Sequence, residues 1–496
     1  MIAFRRPDGR SLLLNSVAVV VSVLFGLMAV VLPWWFVVAL LILPIGLLVS
    51  ALFPEMGLVL VVVLVSGLLP EAMTPSISAG PGKLQAHEIV MVLLTVIGAF
   101  RVRERGLLSV RWLQPVYAIL LCAFIGSVVG LVYSGAQMRD LLQEVRIQGY
   151  WLLAPMSVVL IQDAKALKRF IVGILIVSFL ISVAVLLQFF FNIKILSTAR
   201  VENLNTLTES YSDVTRSTAG GAIYWIIFSV FIATVGAAFR SISRWIVVPL
   251  VLVMAGAIVV SFGRGIWISM LMGAILLGWM TFRGKGVFTV SVLTVVLSVS
   301  TVGALATVKP RIIEVAIDRV ISTTKEGDPN SSLGWRLNEA NYAWVSLSRS
   351  PVIGIGFGVA YKPLERLNGT DADFGLMRYI HNSFLGVWLK MGLLGLLAVL
   401  WIGAQTLYMG WDLSHRAVHP GCKRLAATVV ASFTVPLITS MTQPEWLAPA
   451  GVTYFALMIG ILAVASRLDK LAASGVMSDL RAKNVSRSGI HPVSAR

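Results

Sequence analysis

The sequence predicts an all-α polytopic membrane protein of about 12–14 transmembrane helices, with one long loop on the outer side that carries amphipathic helices. Three observations predict it. Hydrophobic residues make up 57% of the 496-residue chain and charged residues only 13%, against about 25% charged in soluble domains. Mean hydropathy is +0.88, which leaves a water-soluble fold with too little polar surface. Apolar runs recur along the whole length, many near the roughly 20 residues that a bilayer core requires. The runs are apolar on all sides, which excludes the alternating strands of an outer-membrane barrel. The first run is too long for a cleavable signal, lacks a small-residue cleavage site and is followed by further spans.

Fourteen spans are predicted, at 11–32, 34–53, 57–69, 87–100, 113–133, 149–162, 170–191, 219–239, 245–262, 265–282, 286–308, 383–409, 425–442 and 450–466. The third, fourth and sixth are short. Lys and Arg in the loops orient them. With both termini in the cytoplasm, the inner segments collect Arg5, Arg6, Arg10, Arg101, Arg103, Arg105, Arg111, Lys165, Lys168, Arg169, Arg240, Arg244, Arg283, Lys285, Arg416, Lys423 and Arg424. The basic tail adds more, while the short outer loops hold only Lys83, Arg139, Arg146, Lys194, Arg200, Arg216 and Arg264. The net charge of +17 is therefore an orientation signal with some attraction to anionic membrane lipids, and no nucleic-acid partner is expected. Cys122 falls in a span and Cys422 in a basic loop, so neither a disulfide nor a metal site is expected.

These boundaries give four units: N-terminal transmembrane helices over 1–308, the long outer loop over 309–382, C-terminal transmembrane helices over 383–466, and a basic, disordered cytoplasmic tail over 467–496. Within the loop, RIIEVAIDRVIS (311–322) places Ile312, Ile313, Ala316, Ile317, Val320 and Ile321 on one stripe, which suits a helix lying on the outer leaflet. RLNEANYAWVSLS (336–348) puts Arg336, Ala340, Ala343 and Leu347 on a common face, before Pro351 and a glycine run at 354–358 that reads as a flexible turn. The segment 201–221 is a second, shorter polar outer loop.

Ionisable residues are nearly absent from the spans, with Lys390 the main exception and Glu88 at a span edge. Ion-coupled transport needs intramembrane carboxylates or histidines and broken helices, so the pattern argues against it. Polar chemistry gathers on the outer side instead, at Arg264 in VSFGRGIWIS, Arg336 at the head of the amphipathic segment, and His381 at the mouth of a span. A guanidinium grips phosphate with paired hydrogen bonds, and a histidine takes up a proton near neutral pH. That combination suits a phosphorylated lipid substrate and a proton transfer. Each residue also has a plain structural reading: Arg264 as a snorkelling anchor, Arg336 as a solvated helix end, His381 as a helix-start residue.

Together SFGRGIWIS, GWRLNEANYAWVSLSRSPVIGIGFG and HNSFLGVWLKMGLLGL resemble, in order and sidedness, the O-antigen ligase and O-antigen polymerase (Wzy-like) family of bacterial envelope glycosyltransferases. The likeness covers roughly residues 200–410. It implies a multi-pass inner-membrane enzyme with a periplasmic loop. The reaction would transfer a glycan from an undecaprenyl-diphosphate-linked oligosaccharide to a glycan or lipid-linked hydroxyl acceptor, in O-antigen, exopolysaccharide or lipopolysaccharide assembly. Polymerisation is slightly favoured over ligation. By resemblance, Arg264 and Arg336 hold the diphosphate and His381 acts as base or phosphate contact, while Arg216 matches a further outer-loop arginine more loosely. No metal and no cofactor are expected, and other envelope polysaccharide assembly proteins are expected partners. Lys390 stands where many relatives carry an acidic residue, and would either contact substrate or face the headgroups. The rival classes are a transporter or flippase for a lipid-linked sugar or small solute, and a non-catalytic envelope assembly protein.

Overall fold

The structure, a computed structural model, describes residues 46, 48–69, 76–79, 82–102, 111–205, 210–238, 241–282, 332–363 and 377–487, together with isolated positions between 303 and 317. The span expected at 11–32, nearly all of that at 286–308 and most of that at 34–53 lie outside the described residues, as do most of 311–322. Of that stripe, Ile312 is buried in the core while Ile313 and Ile317 are exposed.

The chain is an α-helical bundle. In order come α1 (Pro54–Val65), the hairpin β1–β2 (Ser76–Ala79, Gly82–Gln85), α2 (Ala86–Val102), α3 (Gln114–Val128) and α4 (Met138–Val145). Then follow α5 (Leu153–Leu160), α6 (Ala164–Phe191), the hairpin β3–β4 (Arg200–Asn205, Ser210–Thr218), α7 (Ile223–Ala238), α8 (Arg244–Val259) and α9 (Arg264–Phe282). The last are α10 (Ser332–Ser348), α11 (Ser383–Arg416), α12 (Pro420–Thr439) and α13 (Pro449–Arg487). Among the described residues seven helices are long and apolar enough to cross a membrane; α1 and α8 are shorter apolar helices. The expected span at 149–162 is instead a 3₁₀ segment, Arg146–Leu152, running into the eight-residue α5. The helix α13 runs on to Arg487, through the segment whose polar composition suggests disorder. Cys422, expected in a loop, is buried in the first turn of α12, and both cysteines are free.

Helix ends follow local chemistry. Asp163 caps α6 by accepting from the Ala166 N–H at 2.7 Å, and Asn192 closes it in the left-handed conformation, φ 53°. Asn382 caps α11 through the Leu385 N–H at 3.0 Å; such caps contribute about 1 kcal/mol each. The most central helix is α13, with 89% of its apolar window buried, whereas α9 has 33% buried and faces outward. Around α13 pack α5 and α12, and α12 in turn carries α9 and α11. In lipid these contacts are held by close packing rather than by exclusion of water.

One assembly positions the site. The helix α3 passes into a π-helical turn at Val129–Tyr133, and α11 breaks helical geometry at Gly392, φ 71° and ψ −173°. Between them sits the glycine run 354–358. Its backbone bonds to α3 through Phe357 N–H to the Gly126 carbonyl at 3.1 Å, and to α11 through Ile355 N–H to the Leu389 carbonyl at 2.8 Å. Leu393 N–H closes the break by reaching the Val352 carbonyl at 2.9 Å. A side chain at Gly356, φ 86°, would run into the backbone of Gly130, and one at Gly392 into the Val352 carbonyl. The run is therefore a seated wedge, not the flexible turn that its composition suggests. Of the two readings of Lys390, an outward-facing side chain does not hold: it is buried, with Nζ 3.0 Å from Glu144 of α4 and donating to the Val359 carbonyl at 2.9 Å. Arg378 joins the same cluster, 3.0 Å from Asp140 and 3.9 Å from Glu144.

Candidate functional site

One end of the bundle gathers the start of α9, the end of α12, the starts of α11 and α13, the β3–β4 hairpin and α10. Arg264 is the first residue of α9. It follows a turn in which Phe262, buried, adopts φ 47°. For a bulky side chain this region costs on the order of 1–3 kcal/mol and persists only when the surroundings impose it. They do: Trp267 Nε1–H donates to the Ile258 carbonyl at 3.1 Å across the turn. An arginine at a helix start meets the positive end of the helix dipole, so this position favours an anion that both can bind.

The β3–β4 hairpin leans on that turn. Ser217 N–H donates to the Val260 carbonyl at 3.2 Å and Arg216 Nε–H to the Ser261 carbonyl at 3.0 Å. Gln188, buried in α6, pins the hairpin by donating to Ser217 Oγ at 2.9 Å and accepting from Ile195 and Leu196 N–H at 2.8 and 2.6 Å. Arg216 and the Arg264 turn are thus brought together. Gly265, next to Arg264, faces Thr442 beyond α12. The same stretch reaches α11, where Ser383 Oγ–H donates to the Gln443 carbonyl at 2.6 Å. Arg264 and His381 therefore flank one connection, 440–448.

The third component is α10. Its buried face carries Glu339, Ala343 and Leu347, and Ala343 and Leu347 pack with Tyr361, Ile380 and Leu389. Of the predicted face of Arg336, Ala340, Ala343 and Leu347, the last two are packed, while Arg336 and Ala340 are half-buried. Glu339 Oε2 accepts from the His381 backbone N–H at 3.1 Å and lies 2.7 Å from His381 Nδ1; Oε1 accepts from Lys362 Nζ at 2.5 Å. Burial would raise the Glu339 pKa, but hydrogen bonds from His381 and Lys362 outweigh it and hold the carboxyl at about 2. The His381 ring stands edge-on to Tyr379, centroids 4.8 Å apart. Burial chiefly pushes the Tyr379 phenol up to about 12; Glu339 and Glu445 push the same way, and Arg200 and Arg336 oppose them. All four charges are thus within electrostatic reach of one ring.

Sequence reasoning named Arg216, Arg264, Arg336 and His381, and the structure brings them to one end of the fold. It missed Glu339, Lys362, Tyr379 and Glu445. Glu339 was detectable as the acid three residues after Arg336 on a helical face, and Glu445 as the lone acid between the last two spans. Glu445 is buried, accepts from the Tyr224 hydroxyl at 2.6 Å, and burial pushes its pKa up to about 7. A carboxyl whose folded pKa is raised stabilises the fold at low pH and loses that contribution as pH rises through it. Thermal unfolding should therefore show stability falling between about pH 4.5 and pH 7, by on the order of 3 kcal/mol. In Glu445→Gln that slope should flatten; an unchanged slope would sink this assignment.

The fold is that of a multi-pass helical membrane protein, with candidate arginine and histidine residues at one end of its bundle. Residues 249–400 match the family model described as O-Antigen ligase, so this segment is similar to that family and supports the resemblance seen in the sequence. Arg264, Arg336, Glu339, Lys362, His381 and Lys390 fall inside the match, and Arg216 and Glu445 outside it. A search of curated proteins finds no match.

Proposed function

We propose that the chain transfers a glycan from an undecaprenyl-diphosphate-linked donor to a hydroxyl acceptor at the periplasmic face of the bacterial inner membrane. Both termini lie in the cytoplasm, and polymerisation is slightly favoured over ligation. The observation that carries this reading is the convergence of Arg216, Arg264, Arg336 and His381 at one end of the bundle, three of them within the family segment. Departure of a lipid diphosphate builds negative charge on phosphate oxygens. Arg264 and Arg336 stabilise that growing charge without reorganising, and Arg216 supports the Arg264 turn or extends the same anion site. His381 lies beside them for the acceptor hydroxyl. The guanidinium groups supply the electrostatic stabilisation, so no metal is required by this scheme.

A gene deletion restored with wild type, Arg336→Ala or His381→Ala tests the reading. Envelope polysaccharide and the lipid-linked pool are compared on gels at matched expression. Only wild type should restore the product. Single repeat units reaching their acceptor would indicate polymerase, and full-length chains stranded on the carrier would indicate ligase. Full restoration by both variants would favour a transporter or a scaffold.

A further inference from the structure

We infer, building on the transfer reaction proposed above, that Glu339 is a positioning residue that fixes the tautomer of His381 and presents Nε2 to the attacking hydroxyl. A carboxylate only accepts hydrogen bonds, so the short contact of Glu339 Oε2 with His381 Nδ1 places the ring proton on Nδ1. In the neutral ring Nε2 then carries the lone pair. That tautomer has no Nε2 proton to offer a phosphate oxygen, so of the two roles open to His381 it selects the base.

The carboxylate is itself held on three sides. The His381 backbone N–H anchors Oε2, Lys362 anchors Oε1, and the helix beneath packs Ala343 and Leu347 into the cluster with Ile380. Its pKa of about 2 keeps it charged throughout the neutral range. The charged and titratable groups beside the ring are Glu339 from α10 and Tyr379 from the loop, with Lys362 on the other oxygen of Glu339. Arg200 of β3, Glu445 and Arg336 lie within electrostatic reach of Tyr379. In the transfer step the acceptor O–H proton moves to Nε2 while the oxygen forms its bond to the anomeric carbon. The bond from that carbon to the diphosphate oxygen breaks, and its electron pair leaves on the diphosphate. Glu339 balances the imidazolium until Nε2 returns its proton to water.

Two measurements on the full chain in lipid bilayers test this. Nitrogen NMR of histidine-labelled protein, with His381 assigned by subtraction of His381→Ala, should show Nδ1 protonated and Nε2 bare at mildly alkaline pH. Glu339→Gln, whose amide can donate to Nδ1, should shift the population toward the other tautomer. With a lipid-diphosphate-linked donor, Glu339→Gln should lower kcat by about 10²–10⁴-fold, the range for losing general-base catalysis, and change donor KM little. Glu339→Asp should recover part of it. Lys362→Met unmasks the Glu339 charge, so the acidic limb of the pH profile should move to higher pH; this variant also stands in if Glu339→Gln fails to fold. A dominant Nε2–H tautomer in wild type, wild-type turnover in Glu339→Gln, or an acidic limb moving down in Lys362→Met would each overturn the inference. Loss of transfer in His381→Ala with none in Glu339→Gln overturns the inference alone. Equal transfer by His381→Ala and wild type would overturn the functional reading, and the base role with it.

Discussion

Replacing Arg264 by alanine is expected to lower glycan transfer by roughly a hundred- to a thousand-fold, the loss seen when one donor leaves a preorganised anion-stabilising site. On the proposed reading this residue is the most exactingly placed cation of the site. The strained backbone at Phe262 and the Trp267 bond across the turn fix the start of α9, and the helix dipole adds to the field of the guanidinium. Arg264→Lys should recover little of the rate. A lysine keeps the charge but loses the planar fork that grips two phosphate oxygens at once. Transfer rates of purified chain in vesicles, at matched folding by thermal unfolding, provide the measurement. A lysine variant at wild-type rate would mean that Arg264 acts only as a diffuse charge, and an alanine variant at wild-type rate would remove it from the site.

The second large effect concerns stability. Lys390→Met should destabilise the fold by about 1–3 kcal/mol, because it removes the nearest cation, at 3.0 Å, from a half-buried Glu144 and the donor to the Val359 carbonyl. Glu144 keeps only Arg378, at 3.9 Å, and the Gly358 N–H at 2.8 Å. Activity should fall with it, since the clamp seats the loop that delivers His381. The exchange Lys390→Glu with Glu144→Lys should recover more stability than either single reversal, read as the midpoint of thermal unfolding. Single reversals as stable as wild type would show that the pair is not the clamp.

How much of this was legible in the chain follows from the range of the interactions. Spans are local: about 20 apolar residues suffice, and α3, α6, α9, α11 and α12 fall where hydropathy places them. The positions of Arg264 at a helix start and of Arg336 on an amphipathic stripe were also local, although the helix carrying Arg336 begins a turn earlier, at Ser332. The glycine run was misread because composition reports backbone freedom, whereas here that freedom is spent fitting against Gly126, Gly130 and Leu389. The ion pair of Lys390 was not legible for a similar reason, since its partner Glu144 lies in a different helix far back in the chain. Glu339 escaped notice because an acid on a polar loop helix looks solvated until His381 and Lys362 close over it.

The seating of the glycine wedge bears on how the protein is made. Its two walls, α3 and α11, lie far apart in the chain, and the wedge lies between them in space but before α11 in sequence. A nascent chain that has emerged as far as His381 holds every arginine of the site and the histidine, yet lacks one wall of the slot. The slot therefore closes only once α11 supplies Leu389 and the break at Gly392, so on the proposed reading a chain cut before α11 would carry the candidate residues without the contacts that seat them.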